Sequence, residues 1–349
     1  MCRMQRIFQI IGFVLALGVG LGANAVVSAD DLGFIVPDGV DLTMPGDTGV
    51  GNTPSKDGAA TAADPMARDF NLALDAFNGG DAKNAHQRWR KLADAGHGES
   101  AHNLALMMLR GQGGVRDVLA ALTMFEVAAE ADVAAAQHAL GMFYLQGYGV
   151  PKDTTKAFQY FKRAAGGGYL PSRYNLAIAA LSEDSASAQA RGVAMLQDAA
   201  DGGLARASYD LGVLVYQGKA GPKDLPAARR FFERAAKAGD PFGAYNLALM
   251  QLAGEGGSRE PALARAHLEA AALAGAVPAQ VRLAYVLAEA GENESAFKWF
   301  TIAAAFNDAT AAKNADRLSP RLNAAQRARA LNAAQAFRAQ PISTRLQDN

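Results

Sequence analysis

The chain has 349 residues, half of them hydrophobic but only 8% aromatic, and its 34 Lys and Arg balance 34 Asp and Glu. A formal net charge of zero supplies no global field toward nucleic acid or an anionic membrane. Alanine recurs in nearly every segment while aromatics are scarce, which points to closely packed helices.

At the N-terminus Arg3 and Arg6 precede a charge-free stretch from Ile7 to Gly22, followed by Ala23-Asn24-Ala25 and Val27-Ser28-Ala29. This is the layout of a signal peptide over residues 1–29, cut after Ala29 or Ala25. The rival, an uncleaved anchor, is disfavoured because about sixteen apolar residues fall short of the roughly twenty that a membrane span needs. The expected location is therefore periplasmic or secreted, with no stable membrane insertion after cleavage. The single cysteine, Cys2, leaves with the signal peptide. The mature chain is then without a thiol for a disulfide, a thiolate metal site or a nucleophile, and its stability has to come from packing.

Residues 30–64 hold seven Asp against one Lys among Gly, Pro and Thr. Such a segment buries too little apolar surface to offset the entropy of ordering, so a disordered acidic spacer is expected.

From Ala67 onward a period emerges. Leu104, Leu140, Leu176, Leu211, Leu247 and Leu283 are separated by 36, 36, 35, 36 and 36 residues, each followed by Gly or Ala. A second register advances in step: Phe125 with Ala128-Ala129, Phe161 with Ala164-Ala165, Leu196 with Ala199-Ala200, Phe232 with Ala235-Ala236, Leu268 with Ala271-Ala272 and Phe300 with Ala303-Ala304. A fixed period in this range marks a repeat architecture. Within a unit, Leu140, Gly141 and Tyr144 share one helical face, as do Ala157, Phe161, Ala164 and Ala165 on the next helix. Gly147-Tyr148-Gly149 ends the first helix, and Asp153 is placed to cap the second, as Asp117 and Asp224 are in other units. A thin hairpin of this kind folds only against its neighbours. About seven hairpins are expected over 65–314, and a capping helix and tail over 315–349. Ser319-Pro320 reads as the start of that last helix, running to about Ala339. Its expected role is to close the stack with its arginines in water; a basic docking surface for an acidic partner is the sharper alternative.

These residues carry a specific resemblance. The pattern A-x-x-L-G-x-x-Y, then G-x-G-V, then D-x-x-K-A-x-x-[WYF]-[FY]-x-[KR]-A-A-x-x-G resembles the Sel-one-like repeat, a relative of the tetratricopeptide repeat. The unit with Leu140, Gly141, Tyr144, Gly147, Gly149, Val150, Asp153, Lys156, Ala157, Tyr160, Phe161, Lys162, Ala164 and Ala165 follows it nearly throughout. The unit around Leu211 and Phe232 follows it well, whereas Ser182–Ser187 replaces one glycine loop and Gly291-Glu292-Asn293-Glu294 shortens another. The resemblance implies a right-handed superhelical all-α solenoid and a scaffold or adaptor, not an enzyme.

No chemistry emerges from the remaining motifs. His102 and His138 occupy the same repeat position, too far apart on neighbouring hairpins for coordination at about 2 Å. His97, His102 and Glu99 are without further ligands, the Gly-x-Gly turns have neither a preceding strand nor a Lys-Ser/Thr, and no nucleophile–base pair stands out. Neither a metal nor a cofactor is expected. The best candidate surface is the column two residues before each aligned leucine, with positions four and seven further on. Its members His102, His138, Met142, Tyr174, Tyr209, Val213, Tyr216, Tyr245 and Leu249 would line the concave wall of a tetratricopeptide-type solenoid and dock an envelope or secreted protein or peptide. The alternative is that tight curvature packs first helices together and buries the column. As to function, the rival class is a cell-wall-acting enzyme or carbohydrate-binding module, which would need an acid pair or an aromatic platform.

Overall fold

A computed structural model describes residues 64–339. The signal peptide expected over 1–29, the spacer expected over 30–64 except for Asp64, and the tail after 339 lie outside these residues. The described residues contain sixteen α-helices and no strand. Seven hairpins follow one another. The first three pair α1 (Pro65–Asn78) with α2 (Ala82–Asp94), α3 (Gly98–Arg110) with α4 (Val118–Glu130), and α5 (Ala134–Gln146) with α6 (Thr154–Gly166). Next come α7 (Leu170–Leu181) with α8 (Ala186–Asp201), α9 (Ala205–Gln217) with α10 (Leu225–Lys237), α11 (Pro241–Ala253) with α12 (Pro261–Leu273), and α13 (Val277–Glu289) with α14 (Asn293–Ala305). The chain then adds α15 (Ala309–Leu318), a 3-10 turn (Ser319–Arg321) and α16 (Ala324–Gln335).

These residues form two compact units, divided within α7 between Leu176 and Ala177. In the first, α1 to α6 pack each on the next. In the second, α8 to α15 do the same, the first helices α9, α11 and α13 also touch in succession, and α16 lies on α14. Each unit is thus a run of stacked hairpins, the all-α solenoid architecture that the period predicts.

Apart from Leu176, which is half-buried, the two sequence registers are the core. Leu104, Leu140 and Leu283 are fully buried, Leu211 and Leu247 nearly so, and Phe125, Phe161, Leu196, Phe232, Leu268 and Phe300 are buried with them. Removing each such side chain from water contributes roughly 1.5–3 kcal/mol. The small residues set how closely the helices approach. A Cβ on Gly141 would stand 2.5 Å from the Phe161 ring, and one on Gly212 would stand 2.7 Å from Phe232. The second-helix phenylalanine therefore lies directly on the first-helix backbone.

Local chemistry starts and stops each helix. The carboxylates of Asp117, Asp153 and Asp224 accept hydrogen bonds from the backbone N–H three residues on, at 3.0, 2.9 and 2.8 Å, which satisfies an orphan donor at each second-helix N-terminus. Gly147 closes α5 in the left-handed region at φ 75°. Gly149, also left-handed, is tied in a second way, because a Cβ there would press at 3.0 Å on Leu122 and Val118 of the preceding hairpin. The Gly-x-Gly turns are thus contact points between hairpins. The C-terminal helix departs from expectation: Ser319 opens only the 3-10 turn, and α16 begins at Ala324 behind Asn323, whose side chain and that of Gln326 form a reciprocal capping box. Such a box satisfies two donors at once, and it outcompetes the Ser-Pro signal.

The packing makes opposite predictions for two glycines. Gly141→Ala is expected to lose up to about 2 kcal/mol, a clash of roughly 1–3 less the helix-propensity gain of about 1. Gly166→Ala, with open space around its would-be Cβ, is expected to gain about 0.5 kcal/mol. Urea midpoints for the two variants should move in opposite directions; a shared direction would remove close helix approach as the controlling constraint.

Candidate protein-docking face

The nine column residues do not share one environment. His102, His138, Met142, Tyr209, Val213 and Tyr216 are buried, whereas Tyr174, Tyr245 and Leu249 are half-buried. The contacts give the reason: the buried members lie in the seam between hairpins, as the alternative of first helices packed together has it. The His138 ring lies 5.4 Å from Phe161 of its own hairpin and 5.1 Å from Tyr169 ahead of α7, and its Nδ1 is 2.8 Å from the Ser172 hydroxyl. His102 packs 5.6 Å from Phe125. Met142 accepts a hydrogen bond at its sulfur from Asn175, at 3.4 Å.

In residues 177–339 the column is ringed by polar groups. Tyr209 lies 6.1 Å from both Phe232 and Phe242, with the Arg206 guanidinium 4.9 Å above its ring. Burial pushes its phenol up to about 12, Arg206 opposing. Arg206 is also 3.5 Å from Asp210, whose side chain is inaccessible. Asp240 caps α11 by accepting from Gly243 N–H at 2.7 Å; burial raises its carboxyl, and that hydrogen bond counteracts the rise. The Tyr216 hydroxyl donates to Glu255 at 3.0 Å, and Lys223 stands 4.6 Å over its ring. Burial, then the Glu255 contact, raises the Tyr216 phenol.

What this leaves toward solvent is a short stripe on the first helices. On α11, Phe242 is 38% exposed and Tyr245 and Leu249 are half-buried; steps of three and four residues put them on one arc. Beside them on α13 stands exposed Arg282. Burial raises the Tyr245 phenol while the Arg282 charge opposes the rise. Phe242, Arg206 and Arg282 are absent from the column read from the sequence, yet the same helical spacing, begun one turn earlier at Phe242, would have included the first of them.

The other candidates are absorbed structurally. His97 caps α3, its Nδ1 accepting from Ser100 N–H at 3.2 Å. Among the described residues no group of three His, Cys, Asp or Glu is arranged to hold a metal ion, and no helix is long and apolar enough to cross a membrane. At the C-terminal end, Arg327 donates to the Ser319 and Leu322 carbonyls at 3.0 and 3.1 Å, and Arg329 grips Glu294 with two bonds of 2.8 and 2.7 Å. Half of the apparent basic surface is thus spent on the chain itself, since Arg338 likewise donates to Gln335 and Phe337 carbonyls.

A thiol-free core of hairpins at a period near 36 residues, with an aromatic stripe and no assembled catalytic group among the described residues, defines the class of all-α interaction repeats. The Sel1 repeat is matched over residues 98–133, 134–169, 205–240, 241–275 and 277–305. The chain belongs to the Sel1 repeat family, whose members are commonly protein–protein interaction scaffolds and generally non-catalytic. Its fold is similar to a protective antigen of uropathogenic Escherichia coli strains that displays an SLR fold, with a TM-score of 0.66 and 24% identity over 78% of this chain. The chain spans 60% of that antigen's length. A Sel1 repeat protein from Oxalobacter formigenes is similar at a TM-score of 0.55 and 19% identity, over 62% of this chain and 86% of that one. The sequence matches no curated protein.

Two predictions follow from these environments. Tyr209→Ala should lower the melting temperature sharply, by the equivalent of about 3 kcal/mol or more, as large-to-small changes in a core do; an unchanged melt would put Tyr209 on the surface. The second concerns pH. Arg265 holds the Glu292 carboxyl, and Arg329 the Glu294 carboxyl, below the usual range. A depressed carboxylate stabilises the fold above its unfolded value, here 4.5, and that contribution is lost as pH falls through the folded value. The protection of α16 amides against hydrogen exchange, taken relative to their intrinsic rates at each pH, should therefore fall below about pH 4.5, and Glu294→Gln should remove part of that acid response.

Proposed function

We propose that the protein is a non-enzymatic scaffold of the cell envelope, exported by its N-terminal signal peptide, that docks a protein or peptide on the first-helix face of residues 177–339. The observation that carries this is the partial exposure of Phe242 at 38% beside half-buried Tyr245 and Leu249. Aromatic and aliphatic side chains kept at a solvent-facing stripe are those that dominate protein interfaces, and the family's common role is scaffolding. Tyr174, of the column read from the sequence, is half-buried and lies in the other compact unit. Buried Tyr209, whose ring lies 6.1 Å from Phe242, supports the stripe from behind. In chemical terms the face offers apolar area, ring faces and guanidinium donors, which bind and orient a chain without transforming it.

Site-specific crosslinking in cells is the direct test. A photoreactive residue at position 249 should capture a discrete partner, and Phe242→Ala should abolish that product while the melting curve stays within a few degrees of wild type. Crosslinks unaffected by Phe242→Ala, or none from position 249, would remove the face from consideration. The export half of the reading has its own measurement: N-terminal sequencing of the mature protein should begin at Asp30 or Val26, and an intact Met1 product confined to the cytosol would overturn it.

A further inference from the structure

The charges around this stripe are sorted by depth. Position 210 on α9, its equivalent 246 on α11 and its equivalent 282 on α13 hold Asp, Asn and Arg in turn. The Asp210 side chain is inaccessible, Asn246 is buried, and Arg282 is exposed. Asp240, the other acid at this seam, is also buried and committed to capping α11. The cations sit outside them: the Arg206 side chain keeps 39% of its surface over the Tyr209 ring. Arg282 forms no ion pair among the described residues. The nearby acids are placed elsewhere. Glu255 is held by the Tyr216 hydroxyl, and exposed Glu289 lies two turns beyond Arg282, at the end of α13. Carboxylates are therefore turned inward and guanidiniums outward on either side of Phe242 and Tyr245.

Resting on the docking reading above, we propose that the face made by Arg206, Phe242, Tyr245, Leu249 and Arg282 binds an acidic peptide segment, one that carries carboxylates next to bulky apolar side chains. The apolar residues of such a segment cover Phe242 and Leu249. Its carboxylates meet planar guanidinium donors, which match them in a bidentate fashion. A basic segment would place like charges against Arg206 and Arg282, which costs affinity and slows encounter. A neutral segment would cover the aromatics and leave Arg282 without a counter-charge.

Selection of random twelve-residue peptides displayed on phage against the purified full chain tests both layers. Enriched peptides should combine Asp or Glu with Leu, Ile, Phe or Trp. For one such synthetic peptide, fluorescein-labelled, Arg282→Glu should weaken binding roughly tenfold and flatten its salt dependence, Arg282→Lys should stay within about threefold, and Phe242→Ala should weaken it about fivefold or more. Because Arg282 is exposed, the Arg282 variants should melt as wild type does. Enriched peptides without acids that still require Phe242 would overturn the acidic partner and leave the docking reading standing. No enrichment at all, or binding indifferent to both Phe242→Ala and Arg282→Glu, would overturn both.

Discussion

Everything in this molecule depends on how near two helices of one hairpin can come. At Gly141 and Gly212 the first helix has no side chain where the second helix places Phe161 and Phe232, and a single added carbon would overlap the ring. The alanine pairs that follow the phenylalanines extend the same economy of volume along the contact, with Ala128, Ala164, Ala199, Ala235, Ala271 and Ala303 all fully buried. Such close contact maximises dispersion per residue and tolerates few changes in volume. It also explains why so alanine-rich a chain has a core at all: its large buried side chains are interleaved with small ones that let the helices close on them.

The second requirement is that hairpins hold one another, and polar side chains do this where apolar area is short. Gln137 donates to the Ala129 carbonyl and Gln280 to the Ala272 carbonyl, each at 3.2 Å. These amides add a second hydrogen bond to carbonyls at the end of the preceding second helix, which also accept from the Asp132 and Gly275 backbone N–H. Arg163 adds a bond to the Ala129 carbonyl at 2.9 Å and reaches Asp132, and Arg234 reaches Asp201 at 2.7 Å. Farther along, Arg229 pairs with Glu260, and Arg265 with Glu292 at 2.9 Å. Exposed pairs of this kind are individually weak. Their value lies in register: each fixes a second helix relative to the hairpin before or after it, so stacking errors leave charges unmatched.

The fold was largely legible because its determinants are local and periodic. Leucines, alanine pairs and capping aspartates announce themselves by type and spacing, and most do in space what their type suggests, half-buried Leu176 being an exception. The docking face was legible only in part, because whether a side chain meets water is decided by the neighbouring hairpin. Tyr209 and Tyr245 occupy the same repeat position, but Tyr209 is covered by Phe242 from the next hairpin, whereas the corresponding residue one hairpin later is Pro278, too small to do the same for Tyr245. Similarly, Ser319-Pro320 has the composition of a helix start, but the reciprocal bonds of Asn323 and Gln326 lie a few residues beyond it and prevail. In the last helix Arg329 is basic in sequence and paired in space, since its acceptor, Glu294, lies 35 residues away.

Repetition gives the chain its fold, and departures from repetition give it a surface. Where adjacent hairpins carry equivalent residues of matching size, the seam closes and the column becomes core, as at His138 against Ser172. Where the series breaks, as in the passage from Asp210 through Asn246 to Arg282, the same backbone position changes from a buried acid to an exposed base. Specificity in a solenoid is therefore expected at the irregular units, because only there does the constraint that every hairpin fit its neighbour relax enough to leave aromatic and charged groups facing outward. The face around Phe242 and Arg282 is such a place: it follows the intact core contacts of α9 and α10 and precedes the shortened Gly291–Glu294 turn, so a regular stack supports it while its own side chains are no longer required to fill a seam.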